Sequence, residues 1–130
     1  MASILKVDEL QGIVSAGDIT VTVGATTTQS LHDGIAKARC KWNGTGTIAI
    51  NESFNVSSLD DNSTGQYDVN YTNAFDTGNY TCLTSGAGGS GTSGPYDVTE
   101  QVAGYVNIRY YAGGYFDANT CNMANLGDLA

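Results

Sequence analysis

Nucleophilic catalysis needs a base within reach of the nucleophile, and histidine is the side chain most often used. This sequence offers one histidine, His32, set in a polar stretch, and no G-x-S-x-G elbow. Zinc needs three or four Cys or His ligands at compatible spacing. Cys40, Cys82 and Cys121 lie far apart with no C-x-x-C pair, so they are expected to be reduced, buried and inert. Glu52, Asp68, Asp76 and Asp97 supply carboxylates for glycoside hydrolysis, yet nothing in their spacing turns two of them toward one bond. Asp60-Asp61-Asn62 begins like an oxygen-ligand loop but lacks the alternate spacing and closing glutamate of a calcium site. An Asx-turn in a hairpin is the expectation there. No catalytic, metal or cofactor-binding residue is therefore assigned, and the chain is expected not to be an enzyme.

Other residues suit contact better than chemistry. Tyrosine occurs eight times, and an exposed phenol ring with a polar tip can stack on a sugar face or anchor a protein interface. Tyr110, Tyr111 and Tyr115, with Phe116 beside them and Gly113-Gly114 between, are the candidate receptor contacts. Lys37, Arg39 and Lys41 place three of the five cations on alternate residues. That stripe is expected to meet acidic residues of a neighbouring copy, setting register more than affinity. Asn-x-Ser/Thr triplets recur from Asn43 to Asn79, and without a secretory signal they are read as polar β composition.

These side chains must be positioned by strands. Ala36, Ala38, Cys40 and Trp42 alternate with the cations, so a register slip of one residue would bury three charges. Trp42 is expected in the core, because its strand neighbours are small. Asn43-Gly44 and Thr45-Gly46 supply a tight turn before Thr47–Ile50. Tyr67, Val69 and Tyr71 alternate with Gln66, Asp68 and Asn70, and Tyr105–Tyr110 forms a further strand. Ile19, Val21 and Val23 suggest a half-buried strand, Tyr80–Leu83 another, and Val98–Val102 a weak one. Cys121–Leu129 is apolar without a clean period. Gly86–Gly94 is a Gly/Ser-rich loop ending at the single proline, Pro95. Short strands at this spacing predict an all-β protein, an antiparallel β-sandwich or jelly-roll-like domain. Residues 18–130 are assigned to it and residues 1–17 to an extended N-terminal arm. Ile4, Leu5, Val7 and Leu10 of that arm are too few for a core and are expected to bury against a neighbour.

Only 14% of residues are charged, 41% are hydrophobic, and the net charge is −8. Such a surface repels phosphate backbones, which disfavours a nucleic-acid partner. No run approaches the ~20 apolar residues of a membrane span, so no membrane partner is expected.

The ordered phrases Trp42–Ile50, Phe54-Asn55-Val56-Ser57-Ser58-Leu59, Asp60–Gly65, Gln66–Tyr71 and Leu126-Gly127-Asp128-Leu129-Ala130, together with the head Met1–Gln11, resemble a domain of small bacteriophage virion proteins and tail-fibre ends, especially of marine phages. The likeness covers nearly the whole chain and weakens between Leu83 and Tyr105. It implies a structural virion module, made in the host cytoplasm and assembled as a homotrimer, with the arm attached to the particle and the β-domain outward. A capsid decoration or cement subunit is the expected role. A short tail fibre or a host-receptor or surface-glycan binding module is the alternative.

Overall fold

The computed structural model describes residue 9 and residues 19–23, 27–88 and 96–130. The arm residues Ile4, Leu5, Val7 and Leu10, and the expected boundary after residue 17, lie outside this set. The chain divides into two compact units, Met1–Ile35 and Ala36–Ala130.

In the first unit, β1 (Thr20–Val23) pairs antiparallel with β2 (Thr27–Ser30), and a single helical turn, α1 (Leu31–Gly34), follows. Val21 is 43% exposed, more than the half-buried strand expected.

The second unit is an all-β sandwich. Its strands are β3 (Ala38–Asn43), β4 (Ala49–Phe54), β5 (Val56–Ser63), β6 (Gln66–Tyr71), β7 (Thr81–Ala87), β8 (Tyr96–Val102), β9 (Tyr105–Tyr110) and β10 (Thr120–Leu126). They form two antiparallel four-stranded sheets, ordered β4-β3-β10-β7 and β5-β6-β9-β8. Ala38, Cys40 and Trp42 of β3 point inward, as their alternation predicts, and so do Tyr67, Val69 and Tyr71 of β6 and Val106, Ile108 and Tyr110 of β9.

Rings dominate this core. Trp42, Tyr67 and Tyr110 pack mutually tilted or edge-on with centroids 6.0–6.2 Å apart, and Phe116 meets Tyr110 at 6.3 Å. A second cluster joins Tyr71, Phe75 and Tyr80 at 4.2–5.9 Å. Aromatic pairs of this kind are worth about 0.5–1.5 kcal/mol beyond their burial.

Two corners depend on special backbone. Asn55 carries the chain from one sheet to the other at φ 56°, a conformation asparagine tolerates better than most residues. Its side chain is held by accepting from Asn73 N at 2.7 Å and donating to Asn73 O at 3.0 Å. Gly65 turns β5 into β6 at φ 66°, and a side chain there would strike the Phe116 carbonyl.

Several elements differ from the sequence reading. β5 runs through Asp60-Asp61-Asn62 to Ser63, so these residues are strand and not an Asx loop. They lie on a water-facing edge strand, where burial demands no alternation. β7 extends into the Gly/Ser-rich stretch because Gly86 is required there: an added Cβ would lie 2.6 Å from the Tyr110 ring and 2.7 Å from the Thr120 carbonyl. β10 is strictly alternating, with Cys121, Met123 and Asn125 buried.

Trp42→Ala should cost about 3–5 kcal/mol of unfolding free energy in chemical denaturation, since it removes the ring on which both tyrosines lean. A loss below about 1 kcal/mol, or native fluorescence typical of a water-exposed indole, would refute this packing.

Candidate functional site

The carboxylates do not converge. Glu52 lies on exposed β4, where it pairs with Arg39 Nη1 at 2.6 Å. Asp68 accepts from Asn107 Nδ2 on the outer face of the second sheet, while Asp97 sits on edge strand β8. Asp76 occupies the connection after β6 and is tied through its backbone N to the Asp128 carbonyl. Among the described residues no three His, Cys, Asp or Glu side chains form a group able to hold a metal ion, and no helix is long and apolar enough to cross a membrane. His32 belongs to α1 in the first unit.

The three thiols are free, with Cys40 and Cys121 buried and Cys82 half-buried. Burial pushes Cys40 and Cys82 up to about 11 and Cys121 up to about 12, so none carries a reactive thiolate near neutrality. Burial likewise raises Tyr67 and Tyr71, and takes Tyr80 up to about 12.

The tyrosine cluster splits. Tyr110 is fully buried and belongs to the core, contrary to the expectation of a receptor contact. It continues the inward alternation of Val106 and Ile108, and its hydroxyl lies 3.4 Å from the Ser85 carbonyl of the opposite sheet. Tyr111 and Tyr115 are 44% and 48% exposed and meet edge-on at 5.4 Å. They form an isolated antiparallel bridge around Ala112-Gly113-Gly114, closed by Ala112 N donating to the Gly114 carbonyl. The pair is therefore displayed at the tip of the β9–β10 connection.

The cation stripe also divides. Lys37 is 8% exposed and precedes β3, with its backbone N bonded to the Asn125 carbonyl, so it does not share the open sheet face. Arg39 and Lys41 do. Across that outer face Phe54, Arg39, Ala124 and Leu83 stand in one cross-strand row, followed by Glu52, Lys41, Asn122 and Ser85. Phe54 and Leu83, at opposite edges, are 53% and 56% exposed. A shallow depression of about 290 Å³ follows the β7–β10 seam, lined by Leu83, Thr84, Ser85, Asn122, Met123 and Ala124.

The other sheet's outer face is acidic and hydrogen-bonded within itself. Asp60 stands opposite Asp68 and accepts from Asn70 Nδ2 at 2.8 Å; Asn107 joins Asp68 to Thr99. A hydrogen bond with Glu100 raises the Tyr105 hydroxyl above its ordinary value.

Asp117 was not singled out by its sequence context. Its Oδ1 accepts from Gly65 N at 2.7 Å and lies 3.1 Å from the Tyr67 hydroxyl, which also reaches the Gly44 carbonyl at 2.9 Å. One carboxylate thus ties the β9–β10 connection to the β5–β6 turn. The only local sign is an acid between Phe116 and Ala118, and that pattern is too common to identify it.

No protein-family model, curated protein or solved structure matches the chain.

The raised thiols are expected to lower stability at alkaline pH. An ordinary thiol titrates at 9.0, whereas Cys40, Cys82 and Cys121 keep their protons to about 11, 11 and 12. Above the lower value the unfolded chain binds fewer protons than the native one, so stability falls with rising pH. Unfolding free energy is expected to be insensitive to these groups below pH 9.0 and to fall through about 11 to 12. Denaturation midpoints measured across that range check it.

Proposed function

We propose that this chain is a non-enzymatic structural protein of a bacteriophage particle, a capsid decoration or cement subunit at the virion surface. The supporting observation is the open face of the β4-β3-β10-β7 sheet. It carries two large apolar side chains, Phe54 and Leu83, each more than half exposed, in a row with Arg39 and Ala124. A surface of apolar anchors among small and charged side chains is suited to protein contact. Glu52, Asp68, Asp76 and Asp97, by comparison, lie on separate elements, and burial holds the thiols of Cys40, Cys82 and Cys121 above their ordinary value.

In this reading the partners are other virion proteins and further copies of the chain in a homotrimer. Residues 1–17 make the attachment through Ile4, Leu5, Val7 and Leu10, assisted by Arg39 and Lys41. The protein is made in the host cytoplasm and resides in the virion. Its acidic surface is unsuited to nucleic acid. A short tail fibre, or a host-receptor or glycan-binding module, is favoured by one separate observation: the exposed Tyr111–Tyr115 pair at a loop tip.

Particles lacking the protein, mixed with purified variants, separate the two readings. Deleting residues 1–12 should abolish binding to the particle while denaturation of the β-domain remains cooperative. Tyr111→Ala with Tyr115→Ala should leave the bound copy number unchanged. Full binding by the arm-less chain would contradict the attachment role, and loss of host-cell or glycan binding by the double tyrosine variant would favour the second reading.

A further inference from the structure

Three connections meet at one end of the sandwich. Gly44, in the β3–β4 turn, donates its backbone N–H to the Ala118 carbonyl at 2.9 Å. Gly65, in the β5–β6 turn, donates to Asp117 Oδ1 at 2.7 Å and accepts from Tyr110 N at 2.8 Å. The β9–β10 connection is thus tied to both turns through two consecutive residues, Asp117 and Ala118. The β3–β4 turn is also held from within, since Asn43 Oδ1 accepts from Thr45 N and Oγ1 while its Nδ2 donates to the Thr45 carbonyl.

The surface built by these connections has a composition of its own. The chain carries 13 carboxylate side chains, yet residues 43–48, 62–65 and 111–119 include only Asp117, and no Lys, Arg or His. Thr47, Ser63, Thr64 and Asn119 are exposed there, and none of these side chains is hydrogen-bonded to another described residue. Polar residues on the outer face of the β5-β6-β9-β8 sheet, by contrast, satisfy one another. Exposed apolar side chains in the three connections are confined to Tyr111, Tyr115 and the small Ala112. An added Cβ at Gly113 or Gly114, between the two rings, would meet no atom within 4 Å, so the tip is open to a ligand.

We propose that this end of the sandwich binds a neutral glycan, with Tyr111 and Tyr115 stacking on sugar rings and Thr47, Ser63, Thr64 and Asn119 bonding sugar hydroxyls. The assignment rests on the receptor- and glycan-binding reading and names its ligand class; the capsid role does not require it.

The chemistry selects this ligand. A hexose presents an apolar C–H face and a rim of hydroxyls. A phenol ring offers an apolar face to the first. Hydroxyl and amide side chains, which both donate and accept, match the second. A protein partner fits less well, because the core of a protein interface is a contiguous apolar patch, and here two rings stand among polar side chains. A phosphorylated, sulfated or uronate-bearing glycan would find no cation in these connections and would approach a chain of net charge −8.

Affinity electrophoresis of the full chain tests this, in native gels containing mannan, dextran, a β-glucan or a galactan, with alginate as the anionic polymer. At least one neutral polymer should retard the wild type, and alginate should not. Tyr111→Ala with Tyr115→Ala should abolish the retardation while the near-ultraviolet signal of Trp42 is retained. Thr64→Ala with Asn119→Ala should weaken it with both rings in place, and Phe54→Ala, on the outer sheet face, should leave it unchanged. Absence of retardation by every neutral polymer, retardation indifferent to the tyrosine substitutions, or equal retardation by alginate would overturn the proposal. Binding of the purified chain to host cells is measured in parallel. Cell binding without retardation would overturn the glycan site and leave the receptor reading standing, whereas retardation without cell binding would support the site and count against that reading.

Discussion

The sandwich rests on buried tyrosines whose hydroxyls must each find a partner. A hydroxyl buried without one costs about 1–3 kcal/mol, so rings this large can fill a core only if their tips are accommodated. Tyr71 of one sheet donates to the Tyr80 hydroxyl at 3.0 Å and accepts from Asn125 Nδ2, on the other sheet, at 2.6 Å. Tyr80 continues the chain to the Tyr105 carbonyl at 3.0 Å. At the other cluster Tyr67 reaches Gly44 and Asp117, and Tyr110 approaches Ser85 across the sandwich. Each ring therefore contributes apolar area and a directional tie between sheets or between a sheet and a loop. Buried networks of this sort specify one packing arrangement more strongly than an aliphatic core of equal volume.

That constraint leaves the outer faces free to differ. On one sheet the outward residues are acids and amides that satisfy one another through Asp60, Asn70, Asp68 and Asn107. On the other, the outward residues include the exposed Phe54 and Leu83, with Ala124 between them, beside Arg39 and Lys41. The surface ion pair of Arg39 with Glu52 contributes only about 0.2–1 kcal/mol, so it orients side chains more than it stabilises the fold. The two outer faces therefore differ in character, one hydrogen-bonded within itself and one carrying exposed apolar side chains, which is the difference the proposed contact role rests on.

The strands β3, β6 and β9 were legible in the sequence because their inward residues recur at every second position, with Tyr105 at the start of β9 as the one aromatic residue on the other face. β10 was not, since Asn125 points inward to serve Tyr71, and a polar residue at a core position breaks the period. Tyr110 was legible in principle: two residues after Ile108, it shares the buried face, yet the glycines that follow suggested an exposed cluster. Lys37 fits the stripe by spacing, but the strand begins one residue later and the stripe breaks there. Asp60 and Asp61 resembled a turn because turn residues are also the residues of a wet edge strand. The contact surfaces were only partly readable, because exposure is decided by which edge a strand occupies, and edge position is a property of the sheet order.

A density map of intact phage particles containing this chain tests the central reading most directly. Repeated copies of a two-layered β-sandwich are expected on the outer surface of the shell, each with its N-terminal residues running into the layer beneath. Particles without such density, or with the chain confined to the tail tip, would contradict it.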